Sequence, residues 1–320
     1  MEDDKLQSHR VRKEARTSSP AEEISSPHNT HGQNKEPSDE RESSVSEHEH
    51  HHQSAQPKTT TTLTAATSSK TPALINYNVN VQFDPATPQA GKPTHLSLIV
   101  TEQKVGEPIK QFDTIHDKIM HLIIVNSEDL SHFAHIHPKL DKETGIFHIT
   151  HTFSKAGKYK MWIDTKPKGG TQILTAFSFN VEGQPVHTPA SITSDKTFLK
   201  EVVTDGQTYQ IALDFNQERL SVGRNTKMTF AIRDANGKPI SNLEPLMAAG
   251  GHCVIIGADD YEFLHVHPAE EVNDIAGWRG GPSVSFLVNF PKPGLYRAWG
   301  QFQHEGRLLT ADFTFEVVAE

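Results

Sequence analysis

From residue 74 onward, apolar residues recur at every second position in short runs broken by Gly, Pro and Asp. Tyr77/Val79/Val81/Phe83, Leu96/Leu98/Val100 and Phe313/Phe315/Val317 all follow this period. A strand with one buried face requires it. No stretch sustains a helical period, so the pattern predicts an all-β body. Residues 1–72 hold almost no large apolar side chains, and 41–72 are rich in Ser, Thr, His and Glu, with the runs Thr59–Thr62 and Glu47–His52. Such a composition cannot bury enough surface to offset chain entropy. It predicts a disordered polar tail whose histidines bind metal weakly at most.

The body is written twice. Gly106-Glu-Pro108-Ile109 matches Gly237-Lys-Pro239-Ile240, and His121-Leu-Ile-Ile matches His252-Cys-Val-Ile. Phe133-Ala-His135-Ile-His137-Pro138 matches Phe263-Leu-His265-Val-His267-Pro268. Phe153 to Trp162 matches Phe290 to Trp299, and Thr175-Ala176 with Phe177/Phe179/Val181 matches Thr310-Ala311 with Phe313/Phe315/Val317. The copies occupy 73–182 and 205–320, joined by a linker at 183–204 that Gly183, Pro185 and Pro189 keep out of strands. Each has short strands suited to an immunoglobulin-like or cupredoxin-like β-sandwich. Trp162, Trp299, Tyr159 and Tyr296 are expected in the cores, and Gly157 and Gly294 in turns. His148, His151 and His304 are expected at the surface.

In each copy a His opens a strand, a turn follows, and His-x-His-Pro ends the returning strand. A two-residue loop at Asp259-Asp260 pairs Ala258 with Tyr261 and therefore His252 with His267. A three-residue loop at Glu128-Asp129-Leu130 pairs Ser127 with Ser131 and therefore His121 with His137. Directly opposed Cβ atoms lie about 4.5–5.5 Å apart, and His135 and His265 share the face of their neighbours two residues on. The register thus predicts two three-imidazole clusters, His121/His135/His137 and His252/His265/His267, one ion site per copy. Neutral imidazole suits copper and zinc. A fourth donor is expected from the preceding loop, Met247 in the second copy and His116 in the first. Cys253 falls on the face opposite His252 and is expected to be a core thiol, not a ligand. The competing reading gives the histidines a structural role, capping a sheet edge through hydrogen bonds.

Composition narrows the function. The net charge of -9 leaves no basic stripe for nucleic acid, and the single cysteine excludes an intrachain disulfide or a cysteine-based zinc finger. The start, Met1-Glu2-Asp3-Asp4, is acidic with no apolar region behind it. Runs such as Leu122–Val125 are far shorter than the ~20 residues a membrane span needs. The chain as written therefore reads as cytoplasmic and not membrane-spanning. No nucleophile elbow, phosphate loop or paired carboxylates support catalysis. A zinc-dependent hydrolase ranks last, because no general base recurs in both copies.

At Met120-His121-Leu-Ile-Ile-Val, Phe133-Ala-His135-Ile-His137-Pro138 and Gly294-Leu-Tyr-Arg-Ala-Trp299-Gly-Gln-Phe, the chain resembles bacterial YtkA-like domains. More loosely it resembles other copper-handling sandwiches of the CopC and cupredoxin-like kind. The resemblance covers about 75–182 and 205–320. It implies an extracytoplasmic β-sandwich that binds or delivers copper, and the same six histidines as ligands. Two departures stand out: a signal peptide or anchor is expected and not seen, and His116 stands where a Met would favour copper more firmly. The expected function is non-enzymatic metal binding in storage, resistance or delivery, with copper as cofactor and zinc as the alternative. The expected partner is a copper-receiving or membrane-associated protein. A tandem protein-interaction module with structural histidines is the main rival.

Overall fold

The computed structural model describes residues 76–184, 191–266, 268–269 and 277–320, together with the backbone of Thr61–Ala66. Most of the expected tail, and His267, lie outside the described residues. The first copy contains β1 (Thr61–Ala66), β2 (Tyr77–Asp84), β3 (Pro93–Glu102), β4 (Phe112–Asp113), β5 (Met120–Asn126), β6 (Phe133–Ile136), β7 (Lys139–Asp141), β8 (Ile146–Thr152), β9 (Gly157–Pro167) and β10 (Ile173–Val181). The second contains β11 (Leu199–Thr204), β12 (Gln207–Phe215), β13 (Asn225–Asp234), β14 (His252–Gly257), β15 (Phe263–Val266), β16 (Ser283–Asn289), β17 (Gly294–His304) and β18 (Arg307–Val317). Among the described residues no helix is long and apolar enough to cross a membrane.

Each copy folds into two antiparallel sheets. The orders are β1-β2-β3-β8-β7 and β10-β9-β5-β6 in the first, β11-β12-β13-β16 and β15-β14-β17-β18 in the second. This is the immunoglobulin-like arrangement, in which the strand following the first sheet's hairpin crosses to the second sheet. Alternation explains the sheets. In β2, Tyr77, Val79, Val81 and Phe83 are buried and the residues between them are not. The inward sets of the paired sheets close one core per copy. Tyr159 and Tyr296, near the starts of β9 and β17, donate their hydroxyls to the carbonyls of Lys155 and Lys292, both at 2.9 Å. The same Tyr-to-backbone corner is characteristic of immunoglobulin-like domains.

Four expectations need correction. Trp162 and Trp299 are buried in neither core but in a third apolar cluster with Ile123, Val125, Leu130, Val254 and Ile256. That cluster joins the second sheets of the two copies. Trp299 stacks on Phe133 at 4.6 Å and 8°, and Trp162 stacks on Phe263 at 5.3 Å and 21°. This explains why β5 and β14 are buried at every position: one face meets its own core and the other meets the partner copy.

Second, β11 lies within the stretch read as linker. Asp205-Gly206, with φ of 47° and 74°, form a left-handed turn that pairs Thr204 with Gln207. In the same way, β1 falls inside the stretch read as tail and pairs with β2. Third, the β5–β6 and β14–β15 loops are wider than expected. The amide of Asn126 donates to the His132 carbonyl (3.1 Å), and that of Gly257 to the Glu262 carbonyl (2.9 Å). Leu130 and Tyr261 take left-handed φ of 53° and 57°. Main-chain carbonyls of the β5–β6 loop are used between copies. Arg297 donates to the carbonyls of Asp129 and Leu130, and Tyr261 Oη to that of Ser127. The register itself follows the expected one, with Leu122 opposite Ile136 and Cys253 opposite Val266.

Fourth, none of the three histidines expected at the surface is exposed; His148 is half-buried, its Nδ1 3.1 Å from His95 Nε2. His304 is buried between Tyr209 Oη and Asn242 Oδ1, each at 3.2 Å. His151 is half-buried against His132, with Nε2 atoms 3.1 Å apart.

Candidate metal centre

The ladder between β5 and β6 places His121 one step beyond the Leu122–Ile136 pair, opposite His137. His135 lies two residues before His137 and therefore on the same face. One ligating atom from each of His121, His135 and His137 falls within a mutual 4.8 Å. His121 Nδ1 is 2.9 Å from His135 Nε2 and 3.2 Å from His137 Nε2. His121 is buried and the other two are half-buried.

The outward nitrogens are held by acceptors. His121 Nε2–H donates to the Ile115 carbonyl (2.8 Å) and His135 Nδ1–H to Gln301 Oε1 (2.8 Å). Gln301 is oriented in turn by donating Nε2–H to Thr310 Oγ1 (3.2 Å). In neutral rings this leaves the lone pairs of His121 Nδ1 and His135 Nε2 facing each other at 2.9 Å. Such a contact is repulsive until a cation or a shared proton lies between. Outer partners of this kind fix the tautomer of metal-binding histidines.

Burial is the largest influence on these rings. It lowers His121, drives His135 well below the ordinary range, and with the neighbouring His121 pushes His137 down to about 4. The rings are therefore neutral at pH 7 and available as ligands. Ring spacing also fits an ion. Nitrogens about 2.0–2.1 Å from one metal put imidazole centres about 5 Å apart. The centres of His121, His135 and His137 are separated by 4.9–5.2 Å.

The second copy repeats the plan. A tight turn precedes each leading His: Ile115–Lys118 with φ of 46° and 64° at His116 and Asp117, and Leu246–Ala249 with 49° and 62° at Met247 and Ala248. Left-handed backbone at non-glycine residues is strained, and both copies keep it. Met247 supplies His252 with a backbone carbonyl, which accepts Nε2–H at 3.3 Å. His252 Nδ1 is then buried and, among the described residues, has no hydrogen-bond partner. Burial pushes His252 down to about 3, with His265 acting in the same direction.

His267, the third member expected in the second copy, lies outside the described residues. The two histidine sets meet. His121 and His265 rings are 5.6 Å apart, His135 and His252 5.9 Å. His116 lies between the two sets, 5.9 Å from His121, 5.1 Å from His265 and 5.6 Å from His252. Sequence reasoning missed Asp164 and Gln301, which occupy matched positions in β9 and β17. Each serves the other copy: Gln301 accepts from His135, and Asp164 Oδ2 lies 3.6 Å from His265 Nδ1. Burial raises Asp164, but hydrogen bonds from His265 and Gln172 prevail and hold it below the usual carboxylate value. The signal available was position: both lie two residues beyond a matched Trp, on its face. Cys253 is a buried free thiol in the second core, and burial raises it far above the ordinary thiol range.

The model of a domain of unknown function, DUF8832, matches residues 73–183 and again 201–319. Among solved structures the chain is similar to fibronectin(III)-like modules of Clostridium thermocellum CbhA, at 11% identity and a TM-score of 0.20, covering 75% of this chain and 94% of that one. It is similar to three N-terminal domains of the bacteriophage RB49 highly immunogenic outer capsid protein Hoc, at 12% identity and a TM-score of 0.19, covering 75% and 58%. A further similarity is to the Yersinia pseudotuberculosis adhesin InvE, at 10% identity and a TM-score of 0.20, covering 80% and 58%. The chain thus spans less than two thirds of the RB49 and Yersinia chains. No curated protein matches the sequence. Since the family model covers both sandwiches, the chain belongs to the DUF8832 domain family, which it carries twice.

Proposed function

We propose that this protein is a non-enzymatic metal-binding module that holds copper for storage, resistance or delivery, with zinc as the competing ion. The observation that carries the reading is the His121/His135/His137 cluster, with tautomers set from outside so that lone pairs converge. An all-imidazole set suits copper and zinc alike. Copper is preferred on the resemblance to YtkA-like domains, and a copper-receiving protein would be the partner.

Titration of the full chain with Cu(I) under anaerobic reducing conditions, against a chromophoric chelator, tests this. His137→Ala is expected to weaken tight binding by more than about 10-fold, while the circular dichroism spectrum stays unchanged. Wild-type affinity for both Cu(I) and Zn(II) in that variant would refute the site. It would favour a tandem interaction module whose histidines hold the fold together.

A further inference from the structure

The described second-copy histidines, His252 and His265, receive an imidazole from the other sandwich. We infer that His116 of the first copy, together with His252 and His265 of the second, forms a second ion site that bridges the two sandwiches. It deepens the metal-binding reading, yet uses none of the triad's residues, so either can fail alone.

Three observations carry the inference. First, each of the three rings neighbours the other two, with centres 5.1, 5.6 and 5.8 Å apart, a looser set than the 4.9–5.2 Å of the triad, so an ion would draw the rings together. Second, His252 is only 2% exposed. Its Nε2–H is committed to the Met247 carbonyl, and among the described residues its Nδ1 has no hydrogen-bond partner. A buried acceptor left unsatisfied is unfavourable, and an ion at that lone pair removes the cost. Third, the buried Asp164 carboxylate lies 3.6 Å from His265 Nδ1, where it offsets ion charge and orients the ring.

Their placement has a backbone cause. The Ile115–Lys118 turn holds His116 at a left-handed φ of 46°, and there the ring lies 5.9 Å from His121 and nearer to both second-copy histidines. The centre is therefore built by docking. Gln301 supports the first-copy triad and Asp164 the bridging site, each from the opposite sandwich. The ligand class is a borderline or soft cation that accepts imidazole nitrogen, namely Cu(I), Cu(II) or Zn(II).

The test is the same anaerobic Cu(I) titration of the full chain, with His116→Asn, His265→Ala and His137→Ala. Asn tolerates the left-handed backbone, so His116→Asn removes the imidazole without disturbing the turn. Thermal melts of the metal-free proteins verify that it folds. Two tight equivalents are expected for the wild type. Weak binding by His48–His52 is common to every variant and cancels in the differences. His116→Asn and His265→Ala should each lower the affinity of one and the same equivalent by more than about 10-fold, and His137→Ala that of the other. Wild-type stoichiometry and affinity in His116→Asn overturn the bridging site. Loss of an equivalent in His116→Asn beside a silent His137→Ala would uphold the bridge and sink the triad.

Discussion

His121 and His252 stand at the same position of the two copies, and each gives its Nε2–H to a main-chain carbonyl of the turn before it. That single hydrogen bond decides which nitrogen faces the cluster. The next ring in, His135, depends instead on Gln301 of the opposite sandwich. Gln301→Leu should therefore reduce first-copy ion affinity about 10–100-fold although Gln301 faces the far side of the imidazole; unchanged affinity in titration would show that the tautomer is set otherwise. A second residue-scale expectation concerns acid. Burial, aided by His151, pushes His132 down to about 4, and His137 is pushed to about 4 as well. An unfolded imidazole titrates near 6.5, so below that pH the unfolded chain takes up protons that the folded chain refuses. Stability of the metal-free protein should hold above pH of about 6.5 and fall steadily toward pH of about 4. Urea midpoints measured across that window would contradict this by staying level. Of these residues, His121, His135 and His252 were readable because the pattern recurs in both copies, whereas His132 stands where the second copy has Glu262. Asp164 and Gln301 were not, because their types differ between the copies although their positions correspond.

At the scale of elements, strand register was legible and loop geometry was not. Any antiparallel hairpin keeps one pairing sum, so the expected facing of His121 and His137 did not depend on loop width. Both loops open by one residue on each side, and in the first copy the carbonyls of Ser127, Asp129 and Leu130 accept inter-copy hydrogen bonds from Tyr261 and Arg297. The turns before β5 and β14 carry a stability cost instead. Ala248 sits at φ 62°, where an L-residue loses about 1–2 kcal/mol, while glycine pays about 0.5–1 kcal/mol for its freedom in the unfolded chain. Ala248→Gly is thus expected to stabilise the protein by up to about 1 kcal/mol in chemical denaturation; a loss of stability would mean that the turn is not strained. The tandem Asp205-Gly206 signal for β11 was present in the sequence. The prolines of the preceding linker obscured it.

For the whole molecule, the decisive feature is that two sheets meet face to face. The sequence held the clue in its parity. Tyr159 and Trp162 are three residues apart in one strand, so they point to opposite faces and cannot share a core. The unbroken apolar runs of β5 and β14 said the same, since a strand with a wet face alternates. What no repeat could reveal is which surface the second faces met, because each copy alone is consistent with an exposed patch. Trp299→Ala removes the ring stacked on Phe133, and a large-to-small change of this kind costs about 3–5 kcal/mol. It should lower stability by that order in urea and weaken ion binding as well, since the cluster is assembled by docking. Loss of stability with unaltered ion affinity would separate the two. The central claim is tested most directly by anomalous diffraction at the copper edge from crystals of the loaded full chain. A peak enclosed by His121, His135 and His137 is expected. Fully loaded crystals with no peak there, or with copper only at other positions, would contradict it.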